Sequence, residues 1–242
     1  MNEPPPFVNE VQYLEFAINH HFSALRMTEL AAGTAAVGST SNFAGAPDIF
    51  PATPAKATDP VALKVATMAN AGQRREIVKG QDFLRTYYGI NNYIPTLQPS
   101  LASVVSYVDA ATAGDLFNVA FLEAFSGHHA TLTPPSQQCE TLAPHADIRA
   151  YCTGIVDAQT MEISQMRTEL ASVYGITSVP YEEIPVPNNG AFPSAGSSGG
   201  TAVPEPTSAV LLAAGLLGFG FGRRRGKATY SDVARKAGLS AT

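Results

Sequence analysis

The sequence predicts an all-α fold: a four-helix bundle made of two repeated helical hairpins, with a crossover helix between them. Two observations carry the prediction. The stretches "LEFAINHHFSALRM" (Leu14 to Met27) and "LEAFSGHHATL" (Leu122 to Leu132) each set a Glu five residues before a His-His pair, in segments with helical spacing. Further on, "QRREIVKGQDFLRTYYGI" (Gln73 to Ile90) and "QTMEISQMRTELASVYGI" (Gln159 to Ile176) each open on Gln-x-x-Glu-Ile and close on Tyr-Gly-Ile after the same interval of seventeen. A block that recurs in this way is one supersecondary unit used twice, and two helical hairpins make a bundle.

Each element follows from its spacing at 100° per residue. In the first helix Gln12, Glu15, Asn19, Ser23 and Arg26 share one side, and Tyr13, Ala17, Ala24 and Leu25 the other. His20 and His21 flank the centre of the apolar side, and Met27, seven residues after His20, returns to nearly the same angle. A Gly/Ala/Pro-rich connection of about thirty residues follows, around Ala31 to Pro60. The second helix groups Gln73 and Glu76 with Ala69, Ile77, Leu84 and Tyr87, while Arg74, Arg75, Lys79 and Asp82 point away. "TLQPSLASVVSYVDAATAGD" has the spacing of a crossover helix. The second copy turns Gln159, Glu162 and Met166 inward with Ile155, Ile163, Leu170 and Val173. Its short loop "LAPHAD" holds His145, which reads as incidental, as does the outward-facing Met161. Cys139 and Cys152 flank that loop and form no CxxC pair. In an oxidising compartment a disulfide across the second hairpin fits them better than metal ligation.

The inward polar residues raise a chemical question. A carboxylate on a buried face must be protonated, paired or bound to a metal, because burying it bare costs several kcal/mol. A lone inward histidine is ordinarily a core residue with its hydrogen bonds satisfied. Here four inward histidines, His20, His21, His128 and His129, accompany Glu76 and Glu162 at repeated spacing, and that combination favours a metal site. Glu15 and Glu123 fall on the polar stripe and read as solvated or as helix-end charges. Imidazole suits Cu(II), Zn and Fe, and thioethers favour Cu(I), so copper leads, with iron or zinc behind. Binding through neutral imidazoles should weaken as pH falls through the histidine range near ~6.5.

Composition bounds the rest. The 242 residues carry fifteen basic and twenty acidic side chains, a net charge of −5, with no long basic run in the body. A nucleic-acid footprint is therefore absent, and a small ligand or a cation is the expected partner. No nucleophile-base pair, phosphate loop or dinucleotide fingerprint is present. The domains read as a duplicated bundle over 1–180, a Pro/Gly/Ser-rich linker over 181–203, a sorting and membrane segment over 204–225, and a tail over 226–242.

The segment 204–225 rests on a resemblance. Val203-Pro204-Glu205-Pro206, the sixteen-residue apolar run "TSAVLLAAGLLGFGFG" and Arg223 to Arg225 resemble the PEP-CTERM sorting signal of Gram-negative bacteria. The resemblance implies export to the periplasm or cell surface, a transient inner-membrane anchor, recognition by an exosortase and cleavage near Pro-Glu-Pro. The opening "MNEPPPFVNEVQ" has neither the basic nor the apolar region of a signal peptide. "GKATYSDVARKAGLSAT" after the arginines resembles the opening of a LacI-type helix-turn-helix domain, cut short.

The body carries a second resemblance. His20-His21 with Met27, then Gln73-x-x-Glu76-Ile77, and again His128-His129, then Gln159-x-x-Glu162-Ile163-x-x-Met166, resemble domain-of-unknown-function family 305, over roughly 8–90 and 115–176. This implies a ferritin-like four-helix fold in an exported protein, of a family in which copper or another soft metal is the ligand proposed for some members. Pro135 stands where a methionine should follow His128, and Gly80 where one should follow Glu76. His20, His21, Met27, Glu162 and Met166 thus keep the fuller ligand set. Two other functions stay open: a structural matrix protein that binds nothing, and a di-iron oxidoreductase. The latter wants Glu-x-x-His on two helices, where this chain has Gln-x-x-Glu.

Overall fold

The computed structural model describes residues 9–40 and 50–177. Its elements are α1 (Glu10–Ala32), a single turn α2 (Thr34–Val37), α3 (Pro60–Tyr88), α4 (Pro99–Ala110), α5 (Asp115–Leu142) and α6 (Ala146–Val173), and the described residues contain no strand. α1 pairs with α3 and α5 with α6, so the two repeats are the two hairpins, and α4 is the crossover helix.

Local chemistry sets the ends. The Asn9 side chain accepts from Val11 N at 2.8 Å, and Asp59 accepts from Val61 and Ala62 N ahead of Pro60 at the first turn of α3. A side-chain acceptor satisfies N–H groups that the helix leaves open, and proline there sacrifices none. The repeated Tyr-Gly-Ile is a stop signal. Gly89 (φ 67°) and Gly175 (φ 70°) take the left-handed conformation, and the N–H groups of Ile90 and Ile176 reach back to the carbonyls of Leu84 and Leu170 at 3.1 and 2.9 Å. Both copies close with the same six-residue hydrogen bond.

Two apolar clusters fill the bundle. One gathers Tyr13, Leu14 and Ile18 with Leu84, Leu132, Ile148 and Ile155; the other gathers Met27, Leu30, Val65, Phe121, Met166 and Leu170. The order of the clusters along each helix makes α1 and α6 run one way and α3 and α5 the other. His20-His21, Gln73/Glu76, His128-His129 and Gln159/Glu162 all fall between the clusters. They form a polar layer across the middle of an apolar core.

Four expectations need correction. The polar stripe of α1 is not a solvent face: Asn19, Ser23 and Arg26 are buried, because connections fold over Asn19 and Arg26 and α5 approaches Ser23. Asn19 donates to Tyr93 and accepts from Thr96 N; Arg26 donates to the Pro51 carbonyl, lies over the Phe50 ring and pairs with buried Glu29. Glu123 is likewise buried rather than solvated, because the crossover helix covers it and Tyr107 of α4 hydrogen-bonds its carboxyl. His145 is not incidental: its Nδ1 lies 2.6 Å from Glu10 and its ring stacks 3.9 Å from Tyr87. Tyr87 and Val173, expected inside, are exposed. Met161 is exposed, as its position on the wheel requires.

Cys139 and Cys152 form a disulfide, Cα atoms 5.9 Å apart, that ties α5 to α6 next to their short turn. α5 runs on through Pro134 and Pro135. Each proline removes an N–H from the ladder, and the helix continues because α6 packs along it and the disulfide holds its far end. Among the described residues no helix is long and apolar enough to cross a membrane. The linker, the apolar run at 207–222 and the tail lie outside the described residues.

Candidate functional site

The polar layer is built on His20, His21, His128 and His129, all buried. Adjacent positions on a helix point about 100° apart, so each His-His pair addresses two neighbours at once. The first histidine of each pair faces the other hairpin. His20 and His128 lie face to face, centroids 3.7 Å apart and planes at 35°. His20 Nε2 is 2.9 Å from Thr131 Oγ1 and His128 Nε2 is 2.8 Å from Ser23 Oγ. The second histidine of each pair faces its own hairpin. His21 Nε2 lies 3.3 Å from Glu76 Oε2, and His129 Nε2 lies 2.7 Å from Glu162 Oε2.

Burial controls the charge states. It pushes His21 down to about 3, with His129 nearby adding to the effect. It also holds His20 and His128 well below the usual histidine range, reinforced by the neighbouring imidazoles and opposed by a backbone hydrogen bond. These rings are neutral at physiological pH, which is the form that ligates metals. Burial raises Glu76 to about 7; the Glu162 carboxylate adds to this and Arg75 opposes it. Glu123 rises to about 7 for the same leading reason, with a hydrogen bond from Tyr107 acting against it.

The layer holds more polar atoms than it pairs. Nδ1 of all four histidines and both side-chain polar atoms of Gln73 and Gln159 are buried without a hydrogen-bond partner in the structure. Unpartnered buried groups are costly, about 1–3 kcal/mol each, and here they repeat at matching positions of the two copies. Of the eight residues singled out by sequence, His20, His21, Glu76, His128, His129 and Glu162 are brought together. Met27 and Met166 are fully buried in the adjoining apolar cluster. Met27 stands seven residues, roughly 10 Å of helix rise, beyond His20. As they stand, no three His, Cys, Asp or Glu side chains among the described residues are arranged to hold a metal ion.

Sequence reasoning missed Ser23 and Thr131. A signal was there: "HHFS" and "HHAT" each place a hydroxyl three residues after the first histidine. Ser23 was assigned to the polar stripe because the wheel alone does not show that α5 approaches that side of α1.

Comparison with known proteins yields two family matches. Residues 46–170, just over half of the chain, match the family described as Domain of unknown function (DUF305). That span contains Glu76, His128, His129, Glu162 and Met166 and starts after α1. Residues 202–225 match the PEP-CTERM protein-sorting motif, beginning two residues before the boundary read from sequence. Neither a curated protein nor a solved structure matches the chain. The sorting motif marks an exported, cell-surface protein of a Gram-negative bacterium, recognised by an exosortase and associated with the membrane through its C-terminus. Matched over this span, the chain belongs to the DUF305 family, as an exported, exosortase-sorted, all-helical member of it.

Proposed function

We propose that this exported bundle binds a transition-metal cation, copper first and iron or zinc behind it, in the polar layer between its two apolar clusters. The observation that supports this reading is the set of four buried Nδ1 atoms without a hydrogen-bond partner, three of them, on His20, His21 and His128, on rings that burial keeps neutral. Lone pairs without a hydrogen-bond donor are what a borderline or soft cation takes, and the donor chemistry fits. His20, His21, His128 and His129 would hold the ion with Glu76 and Glu162. Met27 and Met166 offer thioethers on the side of one apolar cluster for the reduced ion. Since no three donors are arranged for it at rest, uptake exchanges the His21–Glu76 and His129–Glu162 contacts for bonds to the cation. Protons then compete first at Glu76, which burial raises to about 7, rather than at its neighbour His21, which burial lowers to about 3. Binding through that carboxylate weakens as pH falls through 7, above the histidine range expected from sequence.

Titration of the purified chain with copper, read by equilibrium dialysis and by melting temperature, tests the proposal. Stoichiometric uptake with a rise in melting temperature is expected, and His20→Ala/His21→Ala should abolish both. Gln12→Ala, at an exposed position in the first turn of α1, should leave both intact. Wild type that neither takes up copper nor melts later with it, while the double variant only loses stability, would decide for a structural polar layer.

A further inference from the structure

The contacts between His20 and His128 determine where their protons are. Each ring reaches across the hairpin boundary to the hydroxyl three residues after the other ring, His20 to Thr131 and His128 to Ser23. Both hydroxyls have already committed their hydrogen to their own helix. Ser23 donates to the His20 carbonyl at 2.7 Å, and Thr131 donates to the His128 carbonyl at 2.7 Å. A hydroxyl has one hydrogen to give and accepts through its lone pairs. Each must therefore accept from the imidazole that faces it, so Nε2 carries the hydrogen on both rings. A neutral imidazole has one N–H. Nδ1 is then a bare lone pair on both rings, and each is buried with no donor against it.

We propose that Ser23 and Thr131 are the positioning residues of the polar layer: they lock His20 and His128 as Nε2–H tautomers and so assign Nδ1 as the atom through which each ring binds an electron-pair acceptor. The acceptor's identity, a transition-metal cation, rests on the reading above; the tautomer lock does not. Without the lock each ring would be free to place its hydrogen on Nδ1 and present no lone pair there. Partners of this kind fix the tautomer and orientation of ligating histidines. The two copies exchange them: the hydroxyl that positions each ring stands on the other hairpin's helix, so neither hairpin presents its first histidine correctly alone. His21 and His129 are held differently, by the carboxylates of their own hairpins.

The test uses the full chain, metal-free and labelled with nitrogen-15. Long-range proton–nitrogen correlation spectra, with rings assigned from single-histidine variants, should show Nε2 protonated and Nδ1 unprotonated on His20 and His128. Ser23→Ala/Thr131→Val should give mixed tautomers and a ten- to hundredfold weaker Cu(I) affinity in competition with a chelator, whereas Thr131→Ser should keep both properties. Nδ1–H on either ring of the wild type overturns the proposal, and the wild-type spectrum decides this even if the double variant does not fold. Unchanged tautomers and affinity in a folded double variant also overturn it. A wild type with the Nε2–H tautomers that binds no Cu(I) overturns the donor assignment and the metal reading together, and leaves the lock standing.

Discussion

The two hairpins place the same residues in the same layer and close themselves by different means. The α1–α3 hairpin spans residues 33–59 between its long helices, and that connection is tied down by Arg26 to Pro51, by Glu29 to Thr40, and by Lys56 to Asp109 at the end of α4. The α5–α6 hairpin turns within residues 143–145 and is stapled by Cys139–Cys152. Their ligand-type residues differ at one informative place. Four residues after the glutamate the second copy has Met166, whereas the first has Gly80, where an added Cβ would meet Ile18 at 3.0 and 3.2 Å. Glycine at this position lets α1 pack closely on α3. The polar layer therefore answers to the requirements of the site and its hydrogen bonds, whereas the ends and flanks of each hairpin answer only to closure and packing.

Removing the staple should separate the hairpins most. Cys139→Ser/Cys152→Ser is expected to lose about 2–4 kcal/mol, the usual contribution of a native disulfide, in urea melts of the otherwise unchanged chain. The loss should appear as hydrogen-exchange opening of α5 and α6 ahead of α1 and α3; simultaneous opening of all four would show that the closures are not independent. Gly80→Met, which restores the repeat's methionine, should destabilise by about 1–3 kcal/mol through overpacking against Ile18. A stabilised variant in thermal denaturation would mean that α1 and α3 have room to spare.

Smaller effects should come from the two carboxylates. Glu162→Ala strips the partner from fully buried His129, at 2.7 Å, and should cost about 1–3 kcal/mol. Glu76→Ala should cost less, because Glu76 is 22% exposed and its contact with His21 is 3.3 Å. Equal losses in paired denaturant titrations would contradict that asymmetry.

The smallest effect is in pH. Glu76 binds its proton more tightly folded, at about 7, than at its ordinary 4.5, so its contribution is full below 4.5 and is lost as pH rises through 7. His21 acts oppositely: its folded value of about 3 lies below the ordinary 6.5, so its contribution is present above 6.5 and is lost as pH falls through 3. Glu76→Gln should flatten the decline in melting temperature between pH 4.5 and 7 and leave the acid side unchanged. The same decline in the variant would place the titration on another group, with Glu123 the next to replace.

Much of this was legible in the chain. The doubled His-His and Gln-x-x-Glu-Ile blocks revealed the hairpins, the inward placement of six polar residues and the repeated helix stop at Tyr-Gly-Ile, because helical angle and capping are local properties. What failed was the polar stripe. Asn19, Ser23 and Arg26 have polar neighbours on a wheel, yet each is buried by a segment distant in sequence. Glu123 misled in the same way. His145 looked incidental because Glu10, its partner, lies 135 positions away.

Spacing alone determined that four histidines and two glutamates would face the inside of a bundle, because a 3.6-residue period decides which side of a helix each occupies. Only the packed structure decided which histidine meets which partner. The sequence grouped His20, His21, Glu76, His128, His129 and Glu162, with Met27 and Met166, as one set; the two methionines lie in the adjoining apolar cluster. The fold divides the other six into a stacked pair across the hairpins and a His–Glu contact within each. The reason is that a period sets direction about an axis, whereas pairing depends on the distance and rotation between axes. Those follow from the contacts of whole helices, among them the close approach at Gly80 and the hydroxyls of Ser23 and Thr131.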